Sequence, residues 1–288
     1  MRITERVHAL KLPFQVTTPA GVKIDRYVYV YVIFGKRIIL VDSGVANSER
    51  AIFEYIRKEG RDPEDISCLL LTHSHPDHIG AARAVKEATG CSVHAHQYEK
   101  SWIENVELQA KERPVPGFDA LVGGSVTVDR LLEAGEKFEM DENILVDVFH
   151  TPGHSKGSIS LRLQPEGILF TGDAIPVPGD IPIYEDVEST VRSIKILMNL
   201  EGTRYLLASW DDPRQGEKID MLFRSSLEYL RRIYDAVSKV AVPGLAPMEL
   251  CLRVLDDIGL PKAVANPLLA AAFVSHSKVR AKNDLFIA

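Results

Sequence analysis

Apolar residues in the first part of the chain alternate between the spacing of strands and the spacing of helices. Residues 28–34 and 38–41 are β-branched and aromatic runs joined by a Gly-Lys-Arg turn, which predicts a hairpin. Residues 68–71 form a short continuous apolar run, typical of a strand buried on both faces. Helical spacing appears before and after this run, and each helical stretch stops at a glycine. The order of these elements indicates a mixed α/β fold.

Strand patterns return in the second part of the chain. Residues 144–149 alternate apolar and polar, and residues 159–163 and 168–170 predict a second hairpin. This hairpin ends close to Asp173, as the first one ends at Asp42. The repetition indicates two similar halves whose sheets face each other and carry helices outside. We therefore predict a four-layer αββα sandwich.

Two segments depart from this pattern. Residues 98–140 begin as a helix and are then broken by prolines and glycines, which predicts a lid-like insertion, although an ordinary surface excursion fits the same pattern. From Pro213 onwards the apolar spacing is helical almost to the end. The predicted organisation is a catalytic domain at 1–212 and a C-terminal helical cap at 213–288.

Composition narrows the class of protein. The chain has 288 residues, 45% of them hydrophobic and 26% charged, which fits a soluble protein with one sizeable core. Its net charge of −6 gives no general attraction for nucleic acid or anionic membrane, so neither is an expected partner. The chain has an odd number of cysteines, and they do not show C-x-x-C spacing. We find neither the apolar core of a signal peptide nor an apolar window long enough to span a membrane. We expect a cytoplasmic protein.

One stretch carries a dense set of possible metal ligands. Residues 72–80 read T-H-S-H-P-D-H-I-G and lie between the buried strand and the following helix. They place His73, His75, Asp77 and His78 on one strand-to-helix loop. Packing does not explain this density, because buried polar groups cost free energy unless they are paired or bound to metal. The loop therefore predicts a metal site.

Further ligand-competent residues follow at later strand ends. With the loop they give six nitrogen and oxygen donors, too many for one tetrahedral ion: His73, His75, Asp77, His78, His154 and Asp173. We assign His73, His75 and His154 to one divalent ion and the remaining residues to a second, with Asp173 as the bridge. Cysteine is absent from the set, which disfavours thiolate and iron–sulfur sites. Two ions about 3.5–4 Å apart lower the pKa of a shared water towards 7 and so supply hydroxide.

The stretches T-H-S-H-P-D-H, T-P-G-H-S and T-G-D-A, in this order, closely resemble those of the metallo-β-lactamase superfamily. The resemblance covers roughly residues 1–215. It implies the αββα sandwich and a binuclear hydrolase, usually zinc-dependent, with Asp173 bridging the ions and Asp42 of V-D-S-G supporting the metal loop from behind. The spacing is similar to that of the glyoxalase II and lactonase branch rather than to the secreted β-lactamases.

The sequence departs from the family pattern at the end of the core. The family usually has G-H-G after a strand, whereas this chain has Leu-Ala-Ser-Trp-Asp at 207–211. Trp210 cannot ligate a metal, because the indole N–H is only a donor. Asp212 followed by Pro213 fits the start of the next helix, which leaves Asp211 free. Our hypothesis is that Asp211 ligates the second ion, and such a hard ligand raises the chance that the ion is iron or manganese rather than zinc. The alternative is that Asp211 caps the helix.

Other residues are candidates for catalytic roles. Asp77, or a bound water, is expected to handle protons. His150 precedes the T-P-G-H turn and could support the site, and Tyr184 could donate to a substrate carbonyl or simply pack. Lys156 could meet an anionic substrate, although an exposed lysine is the commoner case. His276 stands alone at an apolar helix edge and is expected to be structural.

The leading function is a metal-dependent hydrolase that uses a binuclear-metal-bound hydroxide on a small ester-like substrate, such as a thioester or a lactone. The expected cofactors are two divalent ions, zinc first, with iron or manganese as alternatives. Two other functions stay open: a mononuclear-iron sulfur dioxygenase-like enzyme, and a non-catalytic ligand-binding relative with a degenerate second site. Metal analysis separates the dioxygenase from the hydrolase, because one iron per chain favours the dioxygenase and two ions favour the hydrolase. The expected partner is a small-molecule substrate, with a homodimer as the common default.

Overall fold

Two facing sheets form the centre of the molecule. The computed structural model describes residues 1–17, 23–279 and 285–286. The first sheet has six strands in the order β1-β2-β3-β4-β5-β6. Its strands are β1 Val7–Thr17, β2 Lys23–Phe34, β3 Ile38–Val41, β4 Ile66–Leu70, β5 Ser92–His96 and β6 Arg130–Leu132. Neighbouring strands are antiparallel from β1 to β3 and parallel from β3 to β6.

The second sheet also has six strands, in the order β12-β11-β10-β9-β8-β7. They are β7 Lys137–Asp141, β8 Ile144–His150, β9 Ile159–Gln164, β10 Ile168–Gly172, β11 Tyr205–Ala208 and β12 Arg214–Gln215. All neighbours are antiparallel except β10 and β11, which are joined by a helical crossover.

Helices cover the outer faces of both sheets. They are α1 Ser48–Lys58, α2 Pro76–Ile79, α3 Ala82–Thr89, α4 Lys100–Glu104, α5 Val106–Glu112, α6 Phe118–Leu121, α7 Val187–Met198, α8 Glu217–Val240, α9 Pro247–Ile258 and α10 Pro267–Ser277. Two short 3-10 turns, Pro63–Asp65 and Lys262–Val264, complete the regular structure of the described residues. Among the described residues, no helix has both the length and the apolar character needed to span a bilayer.

Strand β4 shows why the sheets become buried layers. Successive side chains of a strand point to opposite faces. Cys68 and Leu70 accordingly pack between the two sheets, whereas Leu69 and Leu71 pack beneath the helices over the first sheet. Facing β4 across the interior, the second sheet contributes apolar side chains such as Phe170. The predicted αββα sandwich is confirmed.

The first half differs from the predicted elements in detail. The predicted hairpin is present, but β2 begins at Lys23 and also pairs along its length with β1, which the apolar pattern did not identify. The helix predicted after the histidine-rich stretch is divided into α2 and α3 around Gly80. The helix predicted at the start of the lid is divided into α4 and α5, because Asn105 leaves helical geometry and its side chain caps α5.

The segment predicted as a lid-like insertion, 98–140, is in part a component of the two sheets. Helices α4, α5 and α6 lie in its first part. Its last part instead supplies β6, which pairs with β5 in the first sheet, and most of β7, which pairs with β8 in the second. The chain therefore crosses from one sheet to the other inside this segment.

The C-terminal part is tied to the second sheet. The boundary predicted after residue 212 falls between β11 and β12, which pair with each other. The long helix starts at Glu217 rather than at Pro213, because residues 214–215 are still in the sheet. The first half of α8 packs with α7 over the second sheet, and its second half packs with α9 and α10. The helix thus joins the sandwich to the C-terminal helices.

Candidate metal centre

The candidate ligands lie on loops at one end of the two sheets. Residues 72–80 leave the end of β4, His154 lies between β8 and β9, and Asp173 directly follows β10. The Ile159 amide of the second sheet donates to the Thr72 carbonyl of the first at 2.9 Å. This hydrogen bond joins the two sheets beside the ligand loops. The fold therefore brings together residues that are far apart in the sequence.

Three histidines form a first ligand group. Nδ1 of His75 lies 3.0 Å from Nε2 of His73 and 2.7 Å from Nε2 of His154. All three side chains are buried. Burial lowers the pKa of each ring, well below the ordinary value for His73 and His75. The rings are therefore neutral near pH 7 and can offer nitrogen lone pairs to a metal ion.

His78 and two carboxylates form a second group. Nε2 of His78 lies 3.2 Å from Oδ2 of Asp77 and 3.4 Å from Oδ1 of Asp173. The other oxygen of Asp173, Oδ2, lies 3.4 Å from Nε2 of His154 and 4.0 Å from Nε2 of His73. Asp173 thus presents one oxygen to each group, which is the position required of a bridging carboxylate.

Unpaired buried atoms provide a test of whether these residues fit metal ions. Within the described chain, Asp77 Oδ2, His78 Nε2 and Asp173 Oδ1 are buried and make no hydrogen bond. A buried polar atom left without a partner costs about 1–3 kcal/mol. Both carboxylate oxygens lie beside Nε2 of His78, and among the described residues His73, His78 and Asp173 bring donor atoms close enough together to share one cation, a cluster that does not include Asp77. The residues fit a second ion beside the three-histidine group.

The charge of the second group also favours cations. Burial alone would lower the pKa of His78, but the surrounding Asp173, Asp77 and Asp42 raise it well above its ordinary value. Burial alone would likewise raise the pKa of Asp77, but neighbouring His78 lowers it. Three carboxylates around one imidazole therefore leave an excess of negative charge, which positive ions would neutralise.

Asp42 holds the second group from behind, as the resemblance implied. Its Oδ2 accepts from Nδ1 of His78 at 2.9 Å, so Nε2 of that ring is turned towards the ligands. Its Oδ1 accepts from the Thr72 amide at 2.8 Å. Asp42 adopts left-handed backbone geometry with φ of 61°, which is uncommon for a residue other than glycine. These contacts fix the His78 ring and the start of the metal loop together.

Glu99 is a buried residue of the site that the sequence did not reveal. One oxygen accepts from the Ser74 amide at 2.9 Å and from the Ser74 hydroxyl. The other accepts from the Ser155 hydroxyl at 2.7 Å and the Gly157 amide at 2.6 Å. One carboxylate therefore connects the loop of His73 and His75 to the loop of His154. Local sequence gave no signal, because Glu99 lies in the segment that was predicted to be a lid.

Gln109 is a second residue that the sequence did not reveal. It lies in α5, is fully buried, and donates from Nε2 to the Ser74 carbonyl at 2.5 Å. The same loop residue is thus held by Glu99 on one side and by Gln109 on the other. The lid helix α5 is thereby fixed directly on the metal loop.

The prediction that Asp211 ligates the second ion is wrong. Its carboxylate forms a two-pronged ion pair with the Arg214 guanidinium, in which Nη2 lies 3.1 Å from Oδ1. Its neighbours are also committed elsewhere, since the Trp210 carbonyl accepts from the Tyr27 hydroxyl at 2.8 Å and Asp212 accepts from Tyr29 at 2.7 Å. The physical reason is β12, which returns Arg214 to the end of β11. Asp212 is accordingly not a helix cap.

The candidate catalytic role of Tyr184 is also wrong. Tyr184 is buried, and its hydroxyl lies 2.6 Å from Nε2 of His276. It therefore packs against the C-terminal helices, and His276 is structural as expected. The neighbouring Ile183 matters more, because its carbonyl accepts from Nδ1 of His154 at 2.8 Å. That hydrogen bond leaves Nε2 of His154 free to face the other ligands.

His150 lies outside both ligand groups. Its Nε2 lies 2.9 Å from the Lys156 carbonyl, and its ring stacks on His96 with 4.4 Å between centroids. These contacts close the loop that carries His154. Within the described structure, His150 contacts none of the candidate metal-ligating residues. A catalytic role for it therefore stays a prediction.

Comparison with known proteins identifies the family. The profile of the Metallo-beta-lactamase superfamily matches residues 24–209, more than half of the chain. The chain belongs to this superfamily. The matched range contains every residue of the two ligand groups and Asp42, and it ends just after β11.

Individual relatives match the chain over only about half of its length. The chain is 32% identical to the probable metallo-hydrolase YqgX of Bacillus subtilis over 148 residues, covering 50% of this chain and 64% of that protein. It is 30% identical to the hydroxyacylglutathione hydrolase GloC of Haemophilus influenzae over 143 residues, covering 47% and 65%. The matches thus span slightly less than two thirds of both relatives.

The fold is shared over a longer stretch than the sequence. The crystal structure of the metallo-beta-lactamase family protein TTHA1429 from Thermus thermophilus superposes with a TM-score of 0.72 at 22% identity. The match covers 93% of this chain and 91% of that one. It therefore extends beyond the sandwich into the C-terminal helices.

Proposed function

We propose that this protein is a metal-dependent hydrolase that uses two divalent ions to cleave a small ester-like bond, such as a thioester or a lactone. The observation that carries the proposal is the Asp173 carboxylate, which directs one oxygen to each ligand group. The names of YqgX and GloC, a probable metallo-hydrolase and a hydroxyacylglutathione hydrolase, support the same reaction class.

The donor atoms indicate which ions fit. Imidazole nitrogens and carboxylate oxygens suit zinc, and the same donors also accept iron or manganese. When bound, a pair of such ions lowers the pKa of water to near neutrality and polarises the carbonyl oxygen that is attacked. His73, His75 and His154 would hold one ion, and Asp77, His78 and Asp173 the other.

The residues of the chain prepare the site in three ways. Asp42 and the Ile183 carbonyl accept from the Nδ1 atoms of His78 and His154, which leaves the Nε2 atoms free. Glu99 fixes the distance between the two ligand loops. Asp77 stays ionised because neighbouring His78 lowers its pKa against the effect of burial, so its oxygen is available to a cation.

The proposal is tested by a hydrolysis screen of the metal-loaded protein. The panel contains matched thioesters, lactones and phosphoesters, and Asp173→Asn serves as the inactive control. We expect turnover of thioesters or lactones by the unchanged protein and a loss of at least about 100-fold in the variant, since the bridge between the ions is weakened. Hydrolysis that Asp173→Asn leaves intact would contradict the proposal. Oxygen uptake with a persulfide and one iron per chain would instead identify a sulfur dioxygenase.

A further inference from the structure

Arg113 lies at the end of α5, the lid helix that is fixed on the metal loop. Its amide donates to the Gln109 carbonyl at 2.8 Å. Residues four apart on a helix share one face. Gln109 uses that face to bind the Ser74 carbonyl. Arg113 ends α5 as its C-terminal cap, so its backbone lies one helical turn beyond the residue that binds the metal loop.

The charges near Arg113 are those of the metal centre. Burial lowers the pKa of its guanidinium, and the negative charges of Asp77, Glu185, Asp173 and Glu99 act in the opposite direction. It is also among the positive charges that lower the pKa of His73, His75 and His154, after burial itself. The side chain is half-buried beside the site rather than extended into solvent.

The carboxylates near Arg113 do not pair with it directly. Among the described residues, none places an oxygen within ion-pair distance of the guanidinium. Glu99 already accepts from donors of both ligand loops, and Asp77 and Asp173 both lie beside His78. Glu185 is exposed. The five N–H donors of Arg113 thus remain available to a ligand bound beside these groups.

Metal loading would make the surroundings of the Arg113 guanidinium more positive. Two divalent ions would neutralise Asp77 and Asp173, the carboxylates that now offset the guanidinium. A half-buried positive charge next to two cations favours an anionic ligand, and a planar guanidinium matches a carboxylate with two parallel hydrogen bonds.

We propose that Arg113 binds a carboxylate of the substrate and thereby selects acidic esters or thioesters over neutral ones. This inference rests on the proposed hydrolase function and adds its substrate class. Lys156 is the competing cation: it is exposed, and its charge reaches Glu185 rather than the ligand groups. Arg113 is preferred because its amide binds the carbonyl of Gln109, the residue that fixes α5 on the metal loop.

The test uses two substrates that differ only in charge. S-acetyl-3-mercaptopropionate and S-acetyl-3-mercaptopropionamide contain the same thioester, with a carboxylate in one and a carboxamide in the other. The metal-loaded protein is expected to prefer the carboxylate through a lower KM. In Arg113→Gln the KM for the carboxylate should rise about 10- to 100-fold, as for loss of a charged hydrogen bond, with the carboxamide unchanged. Arg113→Lys should restore part of the preference.

Two variants serve as controls. Lys111→Gln removes an exposed positive charge from the same helix, and Lys156→Gln removes the competing cation. Both should keep the preference. Equal KM values for the two substrates in the unchanged protein, or a preference lost in Lys156→Gln and kept in Arg113→Gln, would overturn the proposal.

A binding measurement separates this inference from the hydrolase function. Calorimetry with glutarate as the probe should show binding about tenfold or more weaker in Arg113→Gln than in Lys111→Gln. If neither thioester is cleaved but this difference is present, the hydrolase function fails and the carboxylate site stands. If the thioesters are cleaved and glutarate binds both variants equally, the carboxylate site fails and the hydrolase function stands.

Discussion

At the scale of single residues, the metal centre depends on groups that do not bind metal themselves. Asp42 and the Ile183 carbonyl each orient one histidine ring, and Glu99 joins two loops. Glu99 is only 2% exposed and receives two of its hydrogen bonds from backbone amides. Hydrogen bonds to an ionised acceptor are roughly twice as strong as neutral ones. The distance between the ligand loops therefore depends on this one negative charge.

We expect Glu99→Gln to weaken metal binding by about 10- to 100-fold. The NH2 group of glutamine is itself a donor, and it would face two of the donor groups whose hydrogen bonds Glu99 now accepts. Competition with a fluorescent chelator measures the affinity, and cobalt substitution reports the ligand geometry by its visible spectrum. Glu107→Gln, an exposed neighbour in α5, is the matched control. Unchanged affinity and an unchanged cobalt spectrum in folded Glu99→Gln would show that the link is not needed.

Asp211 and Asp77 should respond differently to loss of charge. Asp211 pairs with Arg214, so Asp211→Asn should leave the number of bound ions unchanged. Asp77→Asn should reduce metal content, because the Asp77 oxygen faces His78 and has no other partner within the described chain. Elemental analysis of both purified variants measures the difference. Metal lost from Asp211→Asn and retained in Asp77→Asn would reverse the assignment of the second group.

At the scale of elements, the site depends on short strands that end at one edge of the sandwich. The strands next to the ligand loops could be predicted, because their apolar runs and the turns between them are local features of the sequence. Pairing between distant segments could not. Strand β1 was missed, and β12 was mistaken for the start of a helix although it pairs with β11.

The same limit explains the outcome for the site residues. His73, His75, Asp77 and His78 are adjacent in sequence, and His154 and Asp173 follow strands that could be predicted. Glu99 acts through atoms of Ser74, Ser155 and Gly157, and these contacts exist only after folding.

Gly80 allows two elements of the site to approach each other closely. A Cβ on Gly80 would lie 2.3 Å from the Leu121 carbonyl oxygen and 2.5 Å from Cα of Val45. Both neighbours are backbone atoms, so Gly80→Ala should displace α2 from α6 and destabilise the fold by about 1–3 kcal/mol. Urea unfolding measures the loss. Gly90→Ala, where the added carbon meets open space but φ is positive, should cost only about 1 kcal/mol. An equal or smaller loss for Gly80→Ala would contradict the close approach.

At the scale of the whole molecule, the C-terminal helices are part of the packed structure that carries the site. Helix α8 packs on the second sheet with one half and on α9 and α10 with the other. His276 of α10 reaches Tyr184, which adjoins the Ile183 carbonyl that holds His154. Packing of the C-terminal helices is thereby linked to the position of one candidate ligand.

The burial of His276 should make the fold sensitive to acid. Burial lowers the pKa of His276 from 6.5 to about 3, so between these values the unfolded chain binds a proton that the folded chain excludes. Stability should therefore fall as pH falls through this range, by up to about 1.4 kcal/mol per pH unit from this residue. His276→Gln removes this contribution. Between pH 7.5 and pH 5, the unchanged protein should therefore lose about 2 kcal/mol more unfolding free energy than the variant loses. Parallel stability curves in urea would contradict the assignment.

The number of metal ions per chain is the decisive measurement for the proposed binuclear centre. The protein is loaded with zinc, passed through gel filtration to remove free metal, and analysed for metal and protein together. We predict two ions per chain, and one in His78→Ala, which removes a ligand of the second group and leaves the three-histidine group in place. A single ion per chain that His78→Ala does not remove would contradict a binuclear centre.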